Sequence, residues 1–170
     1  DVYGMGVLIQ GEAGIGKSEC ALELLKRGHI FISDDMVEIR RKTGGVLVGS
    51  APELIKHFLE VRGLGIIDVK LLFGIGAIMD TSKIEFVVFL EHWHYSRPDR
   101  VGLHQKFTKI LDRDIPLVQI PVSPGRNLAV LIEVAALNQR LRFQGYYAGR
   151  VLNETTIRKM GGQAVKSPAP

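Results

Sequence analysis

The sequence predicts an α/β domain built on a mixed central sheet flanked by helices. Three observations carry that expectation. An apolar strand, GVLI (6–9), runs through a glycine-studded turn straight into an amphipathic run. A second strongly apolar strand, KIEFVVFLEHW, stands at 83–93. Strand-like and helix-like segments then alternate irregularly, which favours a mixed sheet over a strictly doubly wound one.

Taken in order, GVLI (6–9) reads as a short buried strand. KSECALELLKRG (17–28) places Ala21, Leu22, Leu24 and Leu25 at helical spacing, with Gly28 as the stop. HIFIS (29–33) is expected to be a second strand that delivers Asp34 and Asp35 at its end. MVEIRRKTGGVLVGS (36–50) alternates and carries Gly44-Gly45, a hairpin signal. PELIKHFLEVRG (52–63) reads as a short helix closed by Gly63, and 64–77 as a loop followed by a helix or strand. In 83–93 the apolar residues Phe86 to Phe89 mark a strand centre. The polar stretch 94–105 reads as an exposed loop, and 114–127 as a strand followed by a Pro/Gly loop. LAVLIEVAALNQRLRFQG (128–145) predicts the longest helix, and 161–170 a flexible tail after a domain at 1–160.

The 170 residues suit one domain with its own core. A net charge of +4 suits a nucleotide or an acidic partner and decides nothing alone. A single cysteine, Cys20, leaves no internal disulfide and no zinc cage, so a cytoplasmic setting is expected. No apolar run has the length of a membrane span. The first residue is Asp1, and core-like residues follow at once, so an amino-terminal domain is expected upstream.

GEAGIGKS (11–18) fits the phosphate-loop pattern G-x-x-x-x-G-K-[ST] between a strand and a helix. Glycine permits the positive φ that lets successive N–H groups converge on one anion. The helix that follows adds its positive dipole end. Gly11, Glu12, Ala13, Gly14, Ile15, Gly16, Lys17 and Ser18 are therefore the candidate nucleotide-binding residues. Lys17 suits the β- and γ-phosphates, and the Ser18 hydroxyl suits Mg²⁺ or another divalent cation.

Asp34 and Asp35 supply adjacent carboxylates at the end of an apolar segment. One can serve a metal while the other accepts a proton from an attacking hydroxyl. The alternative is that either aspartate merely caps the next segment. LEVRGLGIIDV (59–69) is the second unusual stretch. Leu64, Ile66 and Ile67 read as ordinary apolar packing, whereas Arg62 beside two glycines suits bidentate phosphate recognition. His29, His57, His92, His94 and His104 form no metal spacing. Trp93 and Tyr95 offer rings that could stack on a base, but edge-strand burial is the expected reading.

GEAGIGKSE, RGHIFISDD, EVRGLGIIDV and PVSPGRNLAVLIEVAALN, in that order and spacing, resemble the catalytic domain of bacterial HPr kinase/phosphorylase. The resemblance covers about residues 2 to 148. It implies a phosphate-loop core like that of phosphoenolpyruvate carboxykinase. It also implies a protein that phosphorylates a serine of the phosphocarrier protein HPr with ATP or pyrophosphate. Inorganic phosphate would serve the reverse reaction, giving pyrophosphate, in control of carbohydrate uptake and catabolite repression.

Carried onto this chain, the resemblance implies catalytic roles for Lys17, Asp34, Asp35 and Arg100, with Arg97 as the alternative to Arg100. Ser18 and Glu60 would hold Mg²⁺. Leu59, Arg62, Gly63, Gly65 and Asp68 would serve both reactions. Pro121, Val122, Ser123, Pro124, Gly125 and Arg126 would serve mainly phosphate removal. A homo-hexamer in the cytoplasm, with neither nucleic acid nor membrane as partner, completes the expectation. The competing readings are a small-molecule or carboxykinase-like kinase and a non-catalytic nucleotide sensor. The aspartate pair argues against the sensor, which needs no spare base.

Overall fold

The computed structural model describes residues 1–93 and 105–159. Its centre is a four-stranded sheet of β1 (Val7–Gly11), β7 (Phe86–His92), β9 (Arg113–Val122) and β8 (Lys106–Ile110), in that spatial order. β1, β7 and β9 are parallel, and β8 runs antiparallel to β9. The mixed central sheet is thus as expected.

β7 explains the layering. It lies between two parallel neighbours and must be covered on both faces. Phe86, Val88 and Leu90 pack with Ile132 and Ala136 of α3 (Leu128–Phe143) and Leu24 of α1 (Lys17–Lys26). Val87, pointing the other way, packs with Leu47, Ile84 and Ile115. That second face is covered by an antiparallel sheet of β2 (Glu38–Arg41), β3 (Leu47–Ser50) and β6 (Thr81–Lys83), with β3 in the middle. The layers are helices, mixed sheet, small sheet. The expected hairpin at 36–50 is β2–β3.

The predicted helix at 52–63 does not form. Pro52 opens a short 3-10 turn at Glu53–Ile55, and His57 then takes a φ of 70° that no helix accommodates. From there the burial alternates: Phe58 and Glu60 are exposed, Leu59 and Val61 buried. This is β4 (Phe58–Val61), paired antiparallel with β5 (Gly65–Asp68). Leu54, Phe58 and Val61 match helical spacing by coincidence. The short α2 (Val69–Phe73) follows β5, capped by the Asp68 carboxylate, which accepts from the Leu71 N–H at 2.9 Å. Leu59, Val61 and Val69 pack with Leu25 of α1 and Phe31, fixing the hairpin to the helix that follows the phosphate loop.

The expected strand at 29–33 is also reduced. Only Phe31 finds a ladder partner, a single parallel bridge with Ile78. The chain then turns outward, and the Ser33 hydroxyl donates to the Met36 carbonyl. The strand expected within 114–127 is β9, whereas sequence patterning did not announce β6, β8 or α4. β8 and β9 form a hairpin whose corner, Leu111-Asp112, has φ of 43° and 60° without a glycine to announce it. α4 (Ala148–Lys159) extends beyond the predicted last helix. The predicted flexible tail (161–170) and most of the loop at 94–105 lie outside the described residues.

Candidate active site

β1, β7 and β9 all end on one rim of the sheet: Gly11 lies opposite Leu90, and His92 opposite Val122. In open α/β sheets the carboxyl ends of parallel strands border the ligand crevice. Residues 11–18 sit at this rim. Gly11 is pressed so closely on β7 that an added Cβ would stand 2.7 Å from the Leu90 carbonyl oxygen. Gly16 precedes α1 with a φ of 105°, turning the backbone so that the first N–H groups of the helix face outward. The Lys17 ammonium donates to the carbonyls of Gly11 and Glu12 at 3.2 and 3.0 Å, which holds its charge over the loop.

The aspartates separate in role. Asp34 is half-buried. It accepts the Ser18 hydroxyl at 3.3 Å and the Glu60 N–H at 2.9 Å. Burial raises the pKa of its carboxyl, and the charges of Asp35 and Glu60 add to that effect; the two hydrogen bonds oppose it. Asp35 is exposed and makes no hydrogen bond or ion pair among the described residues. It borders a cavity of about 220 Å³ together with Gly14, Lys17, Ser18, Glu60 and Arg62. The Arg62 guanidinium covers the loop, lying 3.1 Å from where a Gly14 Cβ would be. A wider groove of about 910 Å³ runs from Lys17 and Asp35 along β1 and the segment Ile30–Ser33.

The chain matches the model of the HPr Serine kinase C-terminal domain over residues 1–156. It belongs to that family. HPr kinase/phosphorylase of Caldanaerobacter subterraneus subsp. tengcongensis is 51% identical over 162 residues, covering 95% of this chain and 53% of that protein. The protein of the same name from Listeria monocytogenes serotype 4a is 58% identical over 152 residues, covering 87% and 48%. The chain therefore spans about half the length of the curated relatives it matches. The solved structure of the Hpr(Ser) kinase/phosphatase from Coxiella burnetii superimposes with a TM-score of 0.79 at 35% identity, covering 90% of this chain and 93% of that one.

Within this domain, the cleft gathers Lys17, Ser18, Asp35, Glu60 and Arg62, with Asp34 behind them. Other predicted residues lie elsewhere. Leu59 is fully buried core. Gly63 and Gly65 form the corner of the β4–β5 hairpin, and Asp68 caps α2. Pro121 and Val122 end β9, and Ser123 to Arg126 form a turn closed by an Arg126 N–H to Ser123 oxygen bond of 3.2 Å. Arg97 and Arg100 lie outside the described residues.

Among the described residues no three His, Cys, Asp or Glu side chains converge into a ready-made cation cage. The Ser18 hydroxyl and the Glu60 and Asp35 carboxylates offer oxygen donors only. Such a set suits a hard cation that completes its shell with phosphate and water. No described helix is long and apolar enough to cross a membrane. Sequence reasoning had no signal for the Asp34–Glu60 backbone bond, and its reading of Trp93 as edge-strand burial does not hold, since the ring is 47% exposed at this rim beside Arg126.

Proposed function

We propose that this chain is the phosphotransfer domain of an HPr kinase/phosphorylase, acting on a serine of HPr in both directions. The observation that carries this reading is the convergence of Lys17, Ser18, Asp35, Glu60 and Arg62 on one cleft at the strand ends. Lys17 and the loop N–H groups hold the polyphosphate of ATP or of pyrophosphate. Ser18 and Glu60 are the residues that would hold Mg²⁺. When bound, Mg²⁺ neutralises charge on the phosphate oxygens.

Asp35 is the base. It is the exposed, uncommitted carboxylate on the cleft wall, whereas Asp34 is occupied by Ser18 and Glu60. In the forward direction the serine oxygen attacks the γ-phosphorus, the bond to the β-phosphate oxygen breaks, and Asp35 takes the serine proton. In reverse, an oxygen of inorganic phosphate attacks the phosphoserine phosphorus. Protonated Asp35 then returns its proton to the departing serine oxygen, and pyrophosphate forms. One anion cradle serves both directions because it recognises phosphate and not the base. Arg126 belongs mainly to the reverse direction.

The homo-hexamer implied by the resemblance is part of this proposal. Leu64, Ile66, Leu71, Leu72 and Ile75 are all more than half exposed on the β4–β5–α2 module, which supports burial between copies. The test uses the protein at its natural length with labelled ATP, Mg²⁺ and HPr. Label on an HPr serine, released as pyrophosphate when inorganic phosphate replaces ATP, is the expected result. ATP binding or hydrolysis without label on HPr would overturn it. Light scattering reads the subunit number.

A further inference from the structure

We propose that Trp93 is a positioning residue that holds the Arg126 guanidinium at the phosphate-loop rim. The inference deepens the reading above and rests on Arg126 serving phosphate removal.

The two residues come from different strands. Trp93 directly follows β7, and Arg126 lies four residues beyond the end of β9. The final register pair of those strands, His92 and Val122, brings the two loop starts together. The same rim carries the phosphate loop, where Glu12 reaches the His92 ring nitrogen at 3.5 Å. The guanidinium carbon of Arg126 stands 5.6 Å from the centroid of the Trp93 ring. Its Nη1 donates to the Pro121 carbonyl at 3.0 Å, and its remaining N–H groups have no other partner among the described residues.

One hydrogen bond leaves a long side chain free to rotate. A second restraint of a different kind, the negative face of the indole, narrows the guanidinium to a few orientations without using up its donors. A donor fork left open and held at a phosphate-binding rim is preorganised for an anion. Trp93 is 47% exposed, so burial does not account for it, and packing alone is a weak reason for a tryptophan at this place.

The test combines kinetics with a direct reading of the contact, on the protein at its natural length. An exposed cation–π contact corresponds to roughly a two- to fivefold effect. Trp93→Leu is expected to raise the KM for inorganic phosphate in phosphate removal by about that factor. Trp93→Phe, which keeps a ring face, is expected to restore most of the loss. In an Arg126→Ala background, Trp93→Leu is expected to add nothing.

The contact is read by quenching. The emission difference between the parent and Trp93→Leu isolates this ring. Iodide collects at a nearby cation, so Arg126→Ala is expected to lower iodide quenching of that emission while leaving quenching by neutral acrylamide unchanged. Equal kinetic losses for the Phe and Leu variants, additive losses with Arg126→Ala, or unchanged iodide quenching would each overturn the proposal. Lower iodide quenching with phosphate removal intact in Arg126→Ala would instead remove Arg126 from the reaction, and the ring's proposed role with it.

Discussion

The Asp34 carboxylate accepts the backbone N–H of Glu60 at 2.9 Å, across 26 residues of chain. Its other oxygen accepts the Ser18 hydroxyl at 3.3 Å. One side chain thereby ties the start of α1 to β4, and Glu60 faces the cleft because its own backbone is held. This half-buried carboxylate, with a raised pKa, works as a brace beside the exposed carboxylate of Asp35.

The brace has a consequence for stability. A carboxyl whose folded pKa is raised binds its proton more tightly in the folded state. It therefore opposes folding at neutral pH and ceases to do so as pH falls through the raised value toward 3.8, the ordinary value. Asp34→Asn keeps an acceptor for the Glu60 N–H and removes the charge. It is expected to melt higher than the parent at pH 7, with the advantage vanishing near pH 4, as read by calorimetry across that range.

Lys17 and Asp35 are expected to fail differently. Lys17→Ala removes the ammonium over the loop, and nucleotide affinity and phosphoryl transfer both fall, the latter by on the order of a hundredfold or more. Asp35→Asn removes the proposed base and leaves the cradle intact. Transfer to HPr is expected to fall by about 10²- to 10⁴-fold with nucleotide affinity unchanged. Isothermal titration beside a transfer assay separates the two; equal loss of binding in both variants would refute the division of roles.

Gly11 is a steric requirement. In Gly11→Ala the new Cβ would meet the Leu90 carbonyl oxygen at 2.7 Å, so β1 and β7 must part at the phosphate loop. The expected cost is about 1–3 kcal/mol of stability together with weakened phosphate binding, measured by denaturant unfolding and nucleotide titration.

Glu133 of α3 joins α1 to α3. It lies 2.9 Å from the His29 ring nitrogen and 3.2 Å from Arg27, and it also accepts from Tyr3. The His29 bond, then the Arg27 charge, hold its carboxyl below the ordinary value of 4.5 despite partial burial. A depressed carboxyl stabilises the fold above its unfolded pKa, and that contribution is lost as pH falls through the folded one. Glu133→Gln is expected to melt lower than the parent at pH 7, and the two curves are expected to converge below about pH 4.5. Parallel curves down to pH 3 would exclude this coupling.

Much of the core was legible in the chain itself. Phe86 to Phe89 announced the central strand because a strand covered on both faces must be continuously apolar. Residues 11–18 announced the cradle because phosphate binding through backbone N–H groups demands glycines at fixed spacing. The segment 52–63 misled because Leu54, Phe58 and Val61 fit a helical period, whereas the strand that forms puts Phe58 and Val61 on opposite faces, and only pairing with β5 chose between the two. The β8–β9 corner was silent because Leu111 and Asp112 take positive φ without glycine.

The sequence by itself determined the family, the phosphate loop and which residue types were available for chemistry, since each depends on local spacing. Tertiary structure alone decided that Asp34 braces while Asp35 faces the cleft, that Leu59 is core while Glu60 beside it is exposed, and that Trp93 meets Arg126. Those outcomes depend on which distant backbone comes within hydrogen-bond or van der Waals reach. That is a property of strand register and layer packing, and no stretch of neighbouring residues encodes it.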